Sequence, residues 1–138
     1  MGVTYATLEL INEGDISLAR KFYIGEEEIR STFVRVLVDS GSHYLCINES
    51  INEVLGLPVV TTRKVRLANE EVREFPVVGP VLIKFQNRTS YCSAMLLPGE
   101  SEPLLGAIPM QDMDVILHPL REELIVHPDH PDMAMGRL

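Results

Sequence analysis

Asp39, Ser40 and Gly41 are the residues of this chain best suited to chemistry, because they directly follow an apolar run, Val34–Val38. Alternate residues of that run are valines, and this period of two predicts a buried strand. A carboxylate at the end of such a strand, followed by a small hydroxyl residue and a glycine, is carried into a tight loop at the edge of the core. There it can act as a general base on water. The same three residues also fit an ordinary turn in which the aspartate bonds its own backbone.

A second motif favours the catalytic interpretation of the loop. Leu104, Leu105 and Gly106 are followed by a short helical segment and by a strand-like run, Asp114–Leu117. An apolar strand that ends in Asp-Ser-Gly, followed later in the chain by two apolar residues and a glycine, resembles the retropepsin-like aspartic peptidases. The resemblance extends over about Val34–Val126. It implies an all-β, single-domain half-barrel with a flap hairpin and one or two short helices, which forms a dimer.

The same resemblance assigns roles to the residues of both motifs. Asp39 is implied as the catalytic carboxylate, and Ser40 and Gly41 as the loop that presents it, with the Ser40 hydroxyl bonding to the loop of a partner subunit. Ser42 is implied as a hydroxyl donor beside the carboxylate. The Leu-Leu-Gly motif is implied to pack behind the loop, which is a structural role.

Peptide hydrolysis by carboxylates needs two of them, one acting as general base on water and the other donating a proton to the scissile carbonyl. This chain contains one Asp-Ser-Gly loop, whereas a two-lobed enzyme carries two such loops in a longer chain. Under the retropepsin-like interpretation, the sequence therefore predicts a homodimer with a twofold axis between the two Asp39 side chains. The predicted function is an aspartic endopeptidase that acts on peptides or proteins without a metal or an organic cofactor.

Two long strand segments, Val59–Ala68 and Val72–Phe85, are joined by a polar turn. The resemblance identifies this hairpin as a flap that closes on a peptide and excludes water. Pro76 and Pro80 in the second arm predict an edge strand or a bend, because proline donates no hydrogen bond to a ladder. The residues near the tip that the resemblance implies in substrate binding are Ala68, Asn69, Glu70, Glu71 and Val72.

Two departures from the family pattern leave a second function open. Ala107 and Ile108 stand where retroviral proteases usually carry Arg and then Asp or Asn, and the flap tip lacks glycine. These features favour a dimeric peptide-binding module that keeps the fold and does not hydrolyse its ligand. A monomeric β-domain in which Asp39 is only a turn residue is the third interpretation.

Two further clusters of side chains have simpler interpretations. His43 and Cys46 could form a base and a nucleophile, but Cys46 lies in an apolar strand segment, where burial is usual. The histidines and aspartates near the C-terminus are metal-ligand types, but prolines keep them off a single helix face, and no metal site is predicted. These residues are His118, His127, Asp129, His130 and Asp132.

The composition limits which classes of protein this chain can belong to. The 138 residues are 46% hydrophobic and 23% charged. This is typical of a globular domain that buries a core without disulfide or metal cross-links. The net charge of -8 argues against a nucleic-acid partner, and the basic run Arg63, Lys64 and Arg66 is interpreted as a solvated face. No segment approaches the ~20 apolar residues that span a bilayer, so a cytoplasmic protein without membrane contact is expected. Cys46 and Cys92 are expected to be core thiols.

The remaining pattern predicts short strands separated by turns. Thr4–Asn12 is expected to be a strand that ends in a turn at Glu13–Asp15. Ile16–Tyr23 is interpreted as a strand in a hairpin with Ile29–Val38, although its apolar spacing also fits a helical turn.

Helical spacing ended by glycine and proline predicts a short helix at Glu49–Leu55. Tyr91–Leu97 is expected to be a further strand. The sequence thus predicts one domain, residues 1–126, and a C-terminal tail, residues 127–138, that lies on the surface or on a partner subunit.

Overall fold

The computed structural model describes residues 2–138 and shows a mostly β protein, as the sequence predicts. Strands and short helices alternate along the chain. The strands are β1 (Thr4–Asn12), β2 (Ser31–Val38), β3 (Leu45–Asn48), β4 (Val59–Arg66), β5 (Val72–Phe85), β6 (Arg88–Leu97), β7 (Leu104–Leu105), β8 (Val115–Leu117) and β9 (Leu124–Val126). The helices are α1 (Glu13–Arg20), α2 (Glu49–Leu55) and α3 (Ala107–Met113), with a 3₁₀ turn at Glu26–Glu28.

Strand pairing closes the main sheet into a ring. β1 pairs antiparallel with β2, β2 pairs parallel with β7, and β7 pairs antiparallel with β3. β3 pairs parallel with β6, β6 pairs antiparallel with β5, and β5 returns to β1. Because side chains on a strand alternate between its two faces, one side of each strand faces an aliphatic core. Its fully buried members include Leu8, Leu10, Val36, Ile47, Val78, Val81, Ile83 and Leu105.

β5 changes its neighbour in the middle, where the sequence predicts a bend. Its first half pairs with β4 as far as Val78, and its second half pairs with β1 from Val81 onward. The register against β6 shifts between these two residues, around Pro80. Because proline cannot donate to a ladder, it is accommodated at this shift, and the predicted bend is confirmed. β4 pairs with β5 alone, so the β4–β5 hairpin extends beyond the ring.

The segment after β1 is helical, and the turn predicted at Glu13–Asp15 and the strand predicted at Ile16–Tyr23 are both wrong. α1 begins directly after β1 because the Asn12 side chain caps it, accepting a hydrogen bond from the Asp15 amide at 3.0 Å. β2 pairs with β1 instead of forming a hairpin with this segment. The apolar spacing fits both states, and the capping asparagine decides between them.

α1 adds a third helix to the one or two that the sequence predicts. All three α-helices have eight residues or fewer, and none in the described part of the chain is long and apolar enough to cross a membrane. α2 has the predicted bounds. Asn48 caps its start by accepting from the Ile51 amide, and Gly56 ends it in the left-handed conformation that favours glycine.

A buried carboxylate fixes α1 to the chain that enters β2. The Asp15 side chain is 7% exposed and accepts hydrogen bonds from Arg30 Nε at 2.8 Å and from Arg30 Nη2 and the Arg30 amide at 3.0 Å. These bonds from Arg30 hold the pKa of Asp15 below its ordinary value.

We expect Asp15→Asn to lower the free energy of unfolding by about 2 kcal/mol at neutral pH, because hydrogen bonds to a buried charged acceptor are lost. A carboxyl group whose pKa is lowered by folding stabilises the protein above its unfolded-state pKa, and this contribution disappears as the pH falls through the folded-state pKa. The stability difference between wild type and variant should therefore shrink in acid. Urea unfolding at a series of pH values measures it, and a difference that stays constant into strong acid would contradict this role for Asp15.

The C-terminal segment, residues 127–138, lies on the surface of its own chain. The Asp114 carboxylate accepts a hydrogen bond from the Met135 amide at 3.0 Å and contacts His130 Nδ1 at 2.7 Å. The buried Arg88 guanidinium donates to the His130 carbonyl, and the Asn87 side chain donates to the backbone of this segment. The segment therefore packs against the domain through the β5–β6 turn and the end of α3.

Candidate active site

The loop after β2 holds Asp39 in a defined position. The Asp39 amide donates to the Leu105 carbonyl at 2.9 Å, and the Asp39 carbonyl accepts from the Ser42 amide at 3.0 Å. Carboxylate oxygen Oδ1 accepts from the Gly41 amide at 3.0 Å, which is an Asx-type turn. Oδ2 has no hydrogen-bond partner within residues 2–138. The loop thus fixes one carboxylate oxygen and leaves the other without a partner in the described residues.

β7 braces this loop from behind. Leu104 and Leu105 pair with β2 on one side, and Leu104 also pairs with β3 on the other. The Ala107 amide, just after β7, donates to the Ser42 carbonyl at 2.8 Å. A Cβ atom on Gly106 would lie 2.5 Å from backbone atoms of the loop, closer than side chains are found. Only glycine fits this close approach, so the second motif has a physical reason for its final residue.

A cleft of about 330 Å³ opens beside the loop, at the lower end of the range for ligand pockets. The loop and the start of β3 form one wall, and the β4–β5 hairpin forms the other. None of the lining side chains is acidic, and Asp39 stands at the edge of the cleft rather than in its lining. The lining is mainly apolar through Cys46, Val65, Leu67, Phe75, Met95 and Leu97.

The predicted hairpin is present as β4 and β5, and its tip is a tight turn closed by backbone and side-chain bonds. The Leu67 amide donates to the Glu71 carbonyl at 2.8 Å, and Glu70 takes the left-handed backbone conformation, with φ of 67°. Arg66 pairs with Glu70 at 3.3 Å, and Arg73 pairs with Glu71 at 3.3 Å. A glutamate therefore occupies a backbone conformation that glycine adopts more readily.

Only one of the five predicted tip residues contacts the cleft. Ala68 lines it, whereas Asn69, Glu70, Glu71 and Val72 are exposed and lie outside the lining. The hairpin residues that line the cleft are Val65, Arg66, Leu67, Ala68 and Phe75.

As a flap, the exposed tip would close on a ligand, so we expect amide hydrogens at residues 68–72 to exchange more slowly with a bound peptide mimic than in the free protein. Hydrogen exchange followed by mass spectrometry measures this. Amides in the buried middle of β1 serve as the control, because they should stay protected in both states. Tip protection that the ligand leaves unchanged would contradict a flap function.

The hydrogen bond predicted from the Ser42 hydroxyl to the Asp39 carboxylate is absent in the described residues, and the Ser40 bond to a partner subunit stays a prediction. Neither the Ser40 nor the Ser42 hydroxyl has a hydrogen-bond partner in the described residues. Ser40 is exposed, whereas Ser42 is half-buried and held by its amide and carbonyl groups. A single chain therefore leaves the Ser42 hydroxyl without a bond to the Asp39 carboxylate.

Cys46 lies in the core as predicted, and its chemistry opposes a cysteine nucleophile. Burial, together with the nearby Asp39 charge, raises the pKa of the Cys46 thiol to about 11. The thiol therefore stays protonated at neutral pH. Cys92 is also a free thiol, and burial raises its pKa to about 12. His43 is exposed and lines the cleft.

The C-terminal histidines are held by contacts within the chain. The His127 and His130 rings stack with centroids 4.6 Å apart, and His130 contacts Asp114. Within residues 2–138, no three His, Cys, Asp or Glu side chains are grouped so as to hold a metal ion.

One contact beside the cleft cannot be predicted from the sequence. Arg63, interpreted above as part of a solvated face, places its guanidinium over the Tyr44 ring, 4.9 Å from the centroid. Its Nη1 also donates to the Tyr44 hydroxyl at 3.3 Å. Because strand pairing and chain folding bring these two residues together, no local pattern predicts the contact.

A larger hollow, of about 490 Å³, lies between α1 and the 3₁₀ turn. Its lining includes Ile16, Arg20 and Glu26 and contains no residue of the Asp-Ser-Gly or Leu-Leu-Gly motif. The cleft beside Asp39 is therefore the better candidate for a site.

Comparison with known proteins adds no further assignment. No protein-family model matches the chain. No curated protein is significantly similar to it. A function for this chain therefore has to be inferred from the residues and the geometry of the cleft.

Proposed function

We propose that this protein is an aspartic endopeptidase of the retropepsin-like type, in which two chains form one active site. The observation that carries the proposal is the Asp39 loop. The Asp39 carboxylate lies at the end of a buried strand, with one oxygen bonded to the Gly41 amide and the other without a partner in residues 2–138. Gly106 packs closely against the loop that carries it. An apolar cleft, with the β4–β5 hairpin as one wall, lies beside this loop. This combination of a fixed carboxylate and a covered apolar groove suits peptide hydrolysis.

The need for a dimer follows from the chemistry. Each chain supplies one such carboxylate, and the mechanism uses two that share a proton. Around Asp39, Ser40 and Ile108 are exposed and available to a second copy of the same loop. A twofold axis beside Asp39 would place two loops face to face and join two half-clefts into one groove. Each chain would then contribute one carboxylate loop and its own flap to the shared groove.

In the proposed reaction, the ionised carboxylate takes a proton from water as the water oxygen bonds to the scissile carbonyl carbon. The protonated carboxyl of the other chain gives its proton to the carbonyl oxygen, which forms a neutral gem-diol. The gem-diol then returns one hydroxyl proton to the pair while the C–N bond breaks, and the leaving nitrogen takes a proton from the other carboxyl. The pair ends as it began, with one proton, and no metal or organic cofactor is consumed.

A peptide would bind as an extended strand between the loop and the flap. The backbone of the β4–β5 hairpin offers hydrogen-bonding groups near the cleft, and the apolar lining accepts a large aliphatic or aromatic side chain. Leu67, Phe75 and Leu97 would surround that side chain. Closing the hairpin would exclude bulk water from the carboxylate pair.

A non-catalytic dimeric peptide-binding module is the second candidate. Two features favour it. The tip turn contains no glycine and places Glu70 in the left-handed conformation, and the residues after Gly106, Ala107 and Ile108, are apolar. In this alternative the cleft and the flap keep their binding function, and Asp39 only shapes its loop.

Incubation with an unbiased peptide library separates the two candidates. We expect cleavage products in mass spectrometry that disappear when a transition-state-mimicking aspartic-protease inhibitor is added and persist with a metal chelator. Cleavage that the inhibitor leaves intact would contradict the carboxylate mechanism. Binding of peptides without any cleavage would favour the module.

A further inference from the structure

The arginines of the flap hairpin differ in their partners. Arg66 and Arg73 are each paired with a glutamate of the hairpin tip. Arg63 has no carboxylate partner within residues 2–138, and its polar contact is with the Tyr44 hydroxyl. Its guanidinium lies over the Tyr44 ring, a geometry in which the aromatic face attracts the cation. One flap cation is therefore held in place with its charge uncompensated.

The position of Arg63 relates this charge to the cleft. Tyr44 lines the cleft, and so does Val65, which is two residues after Arg63 on β4 and therefore on the same face of the strand. The lining contains no acidic side chain, although the chain carries a net charge of -8. Beside the cleft, Arg63 is thus a cation without a carboxylate partner in the described residues, and the nearest carboxylate of the two motifs, Asp39, stands at the opposite wall with the loop.

We propose that Arg63 determines specificity by binding an acidic side chain of the peptide, next to the residue that fills the apolar cleft. This inference rests on the proposed function, because it concerns the ligand of the same site. Nη1 donates to the Tyr44 hydroxyl, which leaves the Nε and Nη2 edge of the guanidinium for a carboxylate, and this planar fork matches the two carboxylate oxygens. Tyr44 is the positioning residue that holds the Arg63 guanidinium at the mouth of the cleft. The ligand class is therefore an extended peptide with a large apolar residue close to a Glu or Asp.

The test uses fluorescent decapeptides with a central Leu-Phe. The two peptides of each pair are identical except at one position, which is Glu in one and Gln in the other. This position is moved from pair to pair along both sides of the Leu-Phe. Binding is measured by anisotropy with the Asp39→Asn chain, so that it does not depend on hydrolysis. In parallel, kcat/KM is measured for both peptides of each pair with the chain that retains Asp39. The variants are Arg63→Ala and Arg63→Glu. The matched control is Lys64→Glu, since Lys64 is the next residue of β4, on its other face and opposite Glu74.

We expect at least one position at which Glu binds about tenfold more tightly than Gln, the size of one charge-assisted hydrogen-bonded pair. Arg63→Ala should abolish that preference, Arg63→Glu should reverse it in favour of the Gln peptide, and Lys64→Glu should preserve it. Equal affinity for Glu and Gln peptides at every position, or a preference that survives Arg63→Glu, would overturn the inference even if hydrolysis proceeds. Charge-dependent binding that requires Arg63 but occurs without any hydrolysis would support the inference while removing the proposed peptidase activity.

Discussion

Replacing Asp39 by Asn is expected to reduce peptide hydrolysis by about 10⁴-fold or more, because the amide cannot serve as general base or as proton donor. The fold should persist. Asn retains the oxygen that accepts from the Gly41 amide, and the backbone bonds to Leu105 and Ser42 do not involve the side chain. We expect the free energy of unfolding to change by less than about 1 kcal/mol. Activity assays and urea unfolding on the same preparation measure both quantities.

The control for this variant is Asp129→Asn, which makes the same chemical change at an exposed position of the C-terminal segment. It should leave both activity and stability close to those of the wild type. Retained turnover in Asp39→Asn would contradict the aspartic mechanism. Loss of folding would show instead that the aspartate is needed to build its loop.

Replacing Gly106 by Ala is expected to destabilise the protein by about 3 kcal/mol or more, a large part of the stability of a small domain. The new Cβ atom would lie 2.5 Å from the His43 carbonyl carbon and the Tyr44 amide nitrogen. These are backbone atoms and cannot rotate away, so the loop that carries Asp39 must move. Thermal or urea unfolding measures the loss of stability, and activity should fall with it.

Gly136→Ala is the matched control for this substitution, because a Cβ atom at that position would meet no atom within 4 Å. Its stability should equal that of the wild type. If Gly106→Ala were as stable as Gly136→Ala, the close packing of the second motif behind the Asp39 loop would be wrong.

Much of the architecture is readable from the sequence because it depends on local signals. The alternating valines before Asp39 predict β2, and the spacing from Glu49 together with Gly56 predicts α2. Pro80 predicts the bend of β5 for a steric reason that does not depend on the rest of the fold. The Asp39 loop and the hairpin beside it are therefore predictable from the sequence alone.

Other features depend on distant partners and leave no local signal. The apolar residues of α1 fit both a strand and a helix, and the capping by Asn12 and the pairing of Asp15 with Arg30 decide for the helix. β7 has two residues, too few for any period, and is a strand only because β2 and β3 flank it. The Arg63–Tyr44 contact joins two elements through the tertiary fold. For the same reason, the sequence places the tip residues Asn69 and Glu70 in the site, whereas the hairpin side chains that line the cleft lie on either side of them.

Mixing active and inactive chains tests most directly whether two Asp39 side chains share one site. Wild-type protein at fixed concentration is equilibrated with a roughly tenfold excess of Asp39→Asn, and the rate of peptide cleavage is measured; the same excess of an unrelated protein is the control. With a shared site, most wild-type chains enter mixed dimers that hold one carboxylate, so activity should fall to about a tenth. Cleavage that continues at the full rate in the presence of excess Asp39→Asn would contradict the shared carboxylate pair.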